Sequence, residues 1–270
     1  MRLRVWLIVA ALECVALPVS AQERLRLATT TSTENTGLLG FLIPTFEKQF
    51  NLEVEVVAVG SGQALKLAEN GDADVVLAHA PPLEEAFVAN GFGVNRRSLM
   101  YNDFIIVGPP ADPAGIKGEK SAAAALKTLA AKQATFLSRG DESGTHVKEK
   151  ELWKTAGVTP SGGWYRSAGV GMGQLLQMAD EQRGYTLTDR GTYLSRKQKG
   201  DLVILVEGDP VLYNPYSLIA TNPAQHPTAK YLAAMQFIAW MTSPEGQRQI
   251  ASFKVDGKSL FIPTAVPQEP

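Results

Sequence analysis

The sequence has almost no cysteine. Its one thiol, Cys14, lies within the first 21 residues, so a chain cut after Ala21 would have neither disulfides nor thiol chemistry. Glu13 directly before Cys14 stands where a lipid-attachment site wants a small residue. The segment therefore reads as a cleaved leader, not a lipoprotein anchor. Histidine is scarce, with three residues, and no His-Glu-x-x-His or similar metal-ligand spacing occurs. Basic residues are not in excess: 26 Lys and Arg face 27 Asp and Glu, which leaves no electrostatic footprint for nucleic acid. Long apolar runs are also missing. After residue 21 none reaches the length of a membrane span.

What is present suits an exported soluble protein. Arg2 and Arg4 precede the apolar Val5 to Leu12, and Val19-Ser20-Ala21 supplies small residues at the cleavage positions. Residues 1–21 are thus expected to be a signal peptide and the mature protein to be periplasmic. Hydrophobic residues make up 45% and charged residues 20% of the 270, the balance of a chain that can bury a substantial core.

The mature chain alternates strand and helix. Leu25 to Ala28 alternates as a strand and is followed by the hydroxyl run Thr29-Thr30-Thr31-Ser32-Thr33. A helix from about Leu38 to Lys48 has Leu38, Leu42 and Phe46 on one face. Val54 to Val59 is a second strand, then Gly60-Ser61-Gly62 opens another helix. Asp74 to Ala78 is a third, nearly all apolar, as for a parallel strand covered on both faces. His79 at its end is expected to be a hydrogen-bonded spacer and not a ligand. This β-α-β-α-β order argues for a parallel α/β sheet with ligands at the carboxyl ends of the strands. A strand at Asp103 to Gly108 leads into Pro109, Pro110 and Pro113, and Tyr213-Asn214-Pro215-Tyr216 leads back to a strand at Ser217 to Ala220. Two passages imply a discontinuous first lobe, residues 22–105 plus 215–270, and a second lobe, residues 106–214, joined by two hinge crossovers.

The stretch Ser138 to His146 sits between the apolar Ala134 to Leu137 and a helical run from Val147 to Ala156. A helix start leaves peptide N–H groups unpaired and binds anions readily. Ser143 and Thr145 add hydroxyls, Gly144 permits close approach, and Arg139 adds a permanent charge with a planar fork of donors. Phosphate, sulfate, molybdate or tungstate would suit this set. The plainer alternative is an N-cap beside a salt-bridged arginine. Repetition of the pattern at Thr30, Thr31 and Ser32, and again at Ser61, favours the anion. Gly171, Met172 and Gly173 form either a fourth anion-facing helix start or a bare loop. They lack the spacing of a dinucleotide site.

Ala28 to Leu39, Ser138 to His146, Gly93 to Arg97 and Tyr185 to Tyr193 together resemble the tungstate-binding proteins of bacterial ABC transporters, nearly end to end over the mature chain. The resemblance implies a type II periplasmic-binding-protein fold with two lobes, each a mostly parallel sheet flanked by helices, that close on one oxyanion for delivery to a membrane permease. It maps a threonine-rich motif to Thr29, Thr30, Thr31 and Ser32, an anion-contacting arginine to Arg139, a serine to Ser61, and a hydroxyl-glycine-hydroxyl run to Ser143, Gly144 and Thr145. The ligand implied is tungstate, with molybdate as the near alternative, and no cofactor. The partner implied is the permease, and the protein is expected to be a monomer.

Two contrasts sharpen the expectation. The stretch Arg139-x-Asp141-x-Ser143-Gly144-Thr145 also resembles the loop of phosphate-binding proteins, but protonated phosphate needs an acceptor. Asp141 is the clear candidate, and its spacing from Arg139 suits it better to orienting that side chain; Glu34 suits support of its own helix start. A hydrolase built on Ser143, His146 and Asp141 would crowd the three into six residues, whereas triads draw on separated elements. A sensor domain would bind the same anion and differ only in its partner.

Overall fold

The computed structural model describes residues 22–196, 200–255 and 257–265; the expected signal peptide and Cys14 lie outside them. In chain order the elements are β1 (Glu23–Thr30), α1 (Thr31–Asn35), α2 (Leu38–Phe50), β2 (Leu52–Val59), α3 (Ser61–Glu69), β3 (Val75–Ala78), α4 (Pro81–Ala89) and β4 (Gly93–Gly108). Then come α5 (Ala122–Ala131), β5 (Phe136–Ser138), α6 (Gly144–Thr155), β6 (Tyr165–Ser167), α7 (Met172–Glu181), β7 (Thr186–Asp189), α8 (Arg190–Ser195) and β8 (Val203–Val206). A short 3-10 turn, Pro210–Leu212, leads to β9 (Tyr213–Thr221), α9 (Tyr231–Met241), α10 (Pro244–Ser252), and the short β10 (Lys254–Val255), β11 (Lys258–Ser259) and β12 (Ile262–Pro263).

The fold is two-lobed. In the first lobe β1 pairs in parallel with β2 and β3, and the sheet continues antiparallel through β9, β4 and β12. The apolar stripe of α2, with Leu38, Leu39, Leu42 and Phe46, joins Phe237 and Trp240 of α9 on one face. Ala64, Leu65 and Ala68 of α3 and Phe87 of α4 cover the other. β3 is buried along its whole length, as its uninterrupted apolar sequence requires. The second lobe has its own core, with Phe104 and Ile106 of β4 against Phe136, Trp153 and Leu187 on one side and Ile105 and Val107 against Leu175 and Leu176 on the other.

The sheets are mixed, with the parallel portion narrower than the strand-helix alternation suggests. β4 and β9 are the reason, because both run between the lobes and must return against their neighbours. β4 is also far longer than the apolar segment Asp103 to Gly108. Its first half carries exposed Asn95, Arg96 and Arg97, which mask the strand pattern. The hydroxyl run after β1 forms a short helix of its own, set off from α2 by Gly37 at φ +80°, a backbone region that favours glycine. The stretch Thr159 to Ser167, which looks like loose chain in the sequence, ends as strand β6.

Candidate functional site

Each lobe presents two helix starts at the ends of adjacent parallel strands. In the first lobe α1 follows β1 and α3 follows β2, with Thr30 in register with Val59. In the second, α6 follows β5 and α7 follows β6, with Ser138 in register with Ser167. The four starts meet across the lobe boundary. A methyl group at Gly171, the residue before α7, would lie 3.6 Å from the Thr31 hydroxyl of α1. One at Gly60, before α3, would lie 3.4 Å from the Asp141 carbonyl and 3.7 Å from the Ser143 nitrogen. Gly60 and Gly171 provide no side-chain cap, so the first peptide N–H groups of α3 and α7 lack an intrahelical or capping acceptor.

Arg139 is the largest fully buried side chain among the described residues, at 1% exposure. Its Nε and Nη2 both donate to Asp141 Oδ2, the Nε contact at 3.2 Å. Burial alone would raise the Asp141 pKa, but the Arg139 charge and the hydrogen bonds from Arg139 and Ser143 outweigh it and hold the carboxyl below its usual range. Asp141 Oδ1 accepts the Ser143 N–H at 3.2 Å. Asp141 thus orients the guanidinium, and both its oxygens are engaged. Arg139 Nη1 remains buried with no protein partner. So do the hydroxyls of Thr31, Ser61 and Thr145. A buried donor left unpaired costs about 1–3 kcal/mol, so four at one junction of helix starts call for an acceptor between them.

The other expected residues divide in role. Thr30 is the N-cap of α1, and its Oγ1 accepts the Thr33 N–H at 3.2 Å and meets Ser32 Oγ at 3.0 Å. Ser143 is the N-cap of α6, accepting the His146 N–H at 3.2 Å. For these hydroxyls the capping explanation holds, and what they leave for a ligand is peptide N–H. Gly144 begins α6 against His79 of the other lobe. Met172 packs its side chain into the second lobe's core, and Gly173 faces Asn35, so this run brings a helix start but no polar side chain. His146 Nδ1 accepts the Glu142 N–H at 3.1 Å, an arrangement in which the ring is not poised as a base for Ser143.

Sequence reasoning overlooked several buried polar groups on the hinge strands, on α8 and on α6. Asn102 of β4 and Asn214 of β9 pair across the two hinge strands, Asn214 Nδ2 donating to Asn102 Oδ1 at 2.6 Å. Thr192 of α8 donates to the Ser32 carbonyl across the lobes at 3.3 Å. The Thr188-Asp189-Arg190-Gly191-Thr192 segment reads in the sequence as a strand end, a helix cap at Asp189 and part of the resemblance, with no role at the site; Asp189 does cap α8, accepting the Thr192 N–H at 2.7 Å. Glu149 of α6, 1% exposed, accepts from Tyr165 at 2.8 Å and Trp153 at 3.1 Å. Burial pushes its pKa up to about 7 against those hydrogen bonds. Its position on the inner face of α6, one turn past Thr145, was the available signal.

Glu149 carries a measurable consequence. Its native pKa lies above the unfolded value near 4.5, so the native state holds a proton that the unfolded state has released. Stability from this group is full below about pH 4.5 and declines as pH rises to about 7, by up to about 3 kcal/mol. Glu149→Gln should flatten that decline in urea unfolding measured at several pH values. An unchanged slope would remove Glu149 as its source.

Known proteins fit this geometry. The chain matches a family described as PBP superfamily domain over residues 18–245. It is 47% identical over 249 residues to the tungstate-binding protein TupA of Peptoclostridium acidaminophilum, covering 91% of this chain and 87% of that one. The chain belongs to the tungstate-binding family of the PBP superfamily. Among solved members, the tungstate ABC transporter structure from Geobacter sulfurreducens is 58% identical, with a TM-score of 0.80, over 86% of this chain and all of that one. The tungstate-binding protein TupA of Desulfovibrio alaskensis is 50% identical, with a TM-score of 0.75, over 90% of this chain and all of the other. Family membership accounts for the two-lobed fold and for a solute-binding role.

Proposed function

We propose that this protein captures tungstate between its lobes and delivers it to the permease of an ABC transporter from the periplasm, as a binding protein and not an enzyme. The observation that carries the reading is the buried, unpartnered set of Arg139 Nη1 and the Thr31, Ser61 and Thr145 hydroxyls. Each of the four can donate a hydrogen bond, which suits an ion with four oxygens and no proton. Peptide N–H groups at the starts of α1, α3, α6 and α7 complete the cage, so that Thr30, Ser32, Ser143, Gly144, Gly171, Met172 and Gly173 contribute backbone and shape.

Asp141 supports a proton-free ligand. A protonated phosphate would need an acceptor, and this carboxylate is already committed to Arg139 and the Ser143 N–H. Sulfate is smaller, with shorter bonds from its centre to oxygen, and would leave some donors out of reach. The moving bodies are residues 22–105 plus 215–270 and residues 106–214, a division supported by the separate cores of the two parts, with β4 already entering the second core at Phe104 and Ile105. Closure replaces the ion's water by charge-assisted hydrogen bonds in a dry site.

Titration calorimetry of the mature chain with tungstate, and then with molybdate, sulfate and phosphate in competition, tests this. Tight tungstate binding that excess phosphate and sulfate do not displace is the expected result. Preferred binding of phosphate would overturn it.

A further inference from the structure

His79 connects the hinge to the site. It follows β3, is 2% exposed, and stacks on Tyr216 of β9 with ring centroids 4.7 Å apart and planes at 9°. Its Nδ1 lies 2.9 Å from Asn214 Oδ1 and its Nε2 lies 3.2 Å from Ser32 Oγ. The amide of Asn214 is spoken for on its nitrogen side, since Nδ2 donates to Asn102 Oδ1 and, at 3.3 Å, to the Tyr216 hydroxyl. Asn214 therefore offers His79 an acceptor, which places the ring proton on Nδ1. Nε2 is then a lone pair, and the Ser32 hydroxyl must donate to it. The groups of opposite charge near the ring are Arg139, which disfavours a second ring proton, and Asp189, which favours one; burial is the larger influence and holds the ring neutral.

From this geometry we infer that His79 is a positioning residue of the anion site, which accepts the Ser32 hydroxyl hydrogen bond and so ties the first turn of α1 to hinge strand β9. The inference rests on the tungstate reading for its affinity arm only. It departs from the expectation that Ser32 presents a hydroxyl donor to the anion. Here the Ser32 side chain is a tether, and the donors that α1 presents are its peptide N–H groups and the Thr31 hydroxyl. The same ring meets the other lobe, because Gly144 at the start of α6 packs directly on it. One imidazole thus contacts the hinge, the first-lobe helix start and the second-lobe helix start.

Two measurements test it. Long-range nitrogen–proton spectra of the ligand-free protein, with the His79 signals identified from His79→Gln, should show a neutral ring protonated at Nδ1. A ring protonated at Nε2 would overturn the inference whether or not tungstate binds. In calorimetry, His79→Leu should weaken tungstate binding about tenfold, roughly the value of one hydrogen bond. His79→Gln, which keeps an acceptor for Ser32, should stay within about threefold of the original. Adding Ser32→Ala to His79→Leu should then cost nothing further, since the tether is already cut. An equal Ser32→Ala penalty in both backgrounds would overturn it. Should His79→Leu fail to fold, the His79→Gln and Ser32→Ala titrations and the ring tautomer still decide the matter. Absence of tungstate binding to the unaltered protein would instead count against the functional proposal and leave the tautomer result standing.

Discussion

Arg139→Ala should abolish most of the tungstate affinity while leaving the protein folded. Truncating one partner of a buried charged hydrogen bond costs about 2–5 kcal/mol, which is roughly a 30-fold to several-thousandfold rise in Kd. Two effects combine. Nη1, the buried donor with no protein partner, disappears. Asp141 also loses the guanidinium that draws its pKa down, so at neutral pH the site would hold an uncompensated carboxylate facing an incoming dianion. Removing that second effect separates the two: Arg139→Ala with Asp141→Ala should bind better than Arg139→Ala alone. Arg139→Lys should fall between, because an ammonium cannot brace Asp141 with two donors in a plane and still aim a third. Calorimetry beside a thermal unfolding midpoint reads all of these. Affinity within a factor of two of the original for Arg139→Ala would remove this arginine from the site.

Gly144→Ala should weaken binding by blocking closure instead of deleting a contact. A methyl there would stand 2.7 Å from the His79 carbonyl oxygen and 3.0 Å from ring Cε1 and Nδ1. These atoms all belong to the opposite lobe. With the lobes apart the methyl has no such neighbours, and alanine is a good helix former. Overpacking a close contact costs about 1–3 kcal/mol, so Kd should rise about 5- to 150-fold. The ligand-free unfolding midpoint should barely move. Small-angle scattering should show less compaction on adding tungstate than for the original chain. Full compaction with unchanged affinity would mean that the lobes close by another path.

Much of this was legible beforehand, and for definite reasons. β3 could be read from four apolar residues without a break, Val75 to Ala78, and α2 from the spacing of Leu38, Leu42 and Phe46. Hydroxyl clusters at three strand-to-helix junctions could be read from residue type, and the structure has helices α1, α3 and α6 begin at those places. The first half of β4 was not legible, because Asn95, Arg96 and Arg97 are exposed on a strand that is buried further along. Nor could residue types distinguish hydroxyls that cap from hydroxyls left free. Thr30 and Thr31 are neighbours of identical chemistry, yet one is consumed by its own helix and the other is not. That difference depends on which side of α1 each occupies. His79 was rightly seen as a hydrogen-bonded residue at a strand end, but its two partners lie 47 and 135 residues away in sequence, beyond the reach of any local pattern.

The passage of β4 and β9 between the lobes also governs the order in which the chain can assemble. β3 finds its antiparallel neighbour only in β9, and β4 gains its outer partner only in β12. The first lobe, although it holds the N-terminus, therefore cannot finish its sheet until nearly the last residues are available. The second lobe draws its cores from one uninterrupted stretch, Phe104 to Leu212, and needs nothing from either end. Contacts of long sequence separation form slowly because loop closure must come first. The middle of this chain should accordingly gain protection from hydrogen exchange ahead of its beginning during refolding. A polypeptide emerging end first would stay incomplete, and so remain threadable, for most of its passage across a membrane.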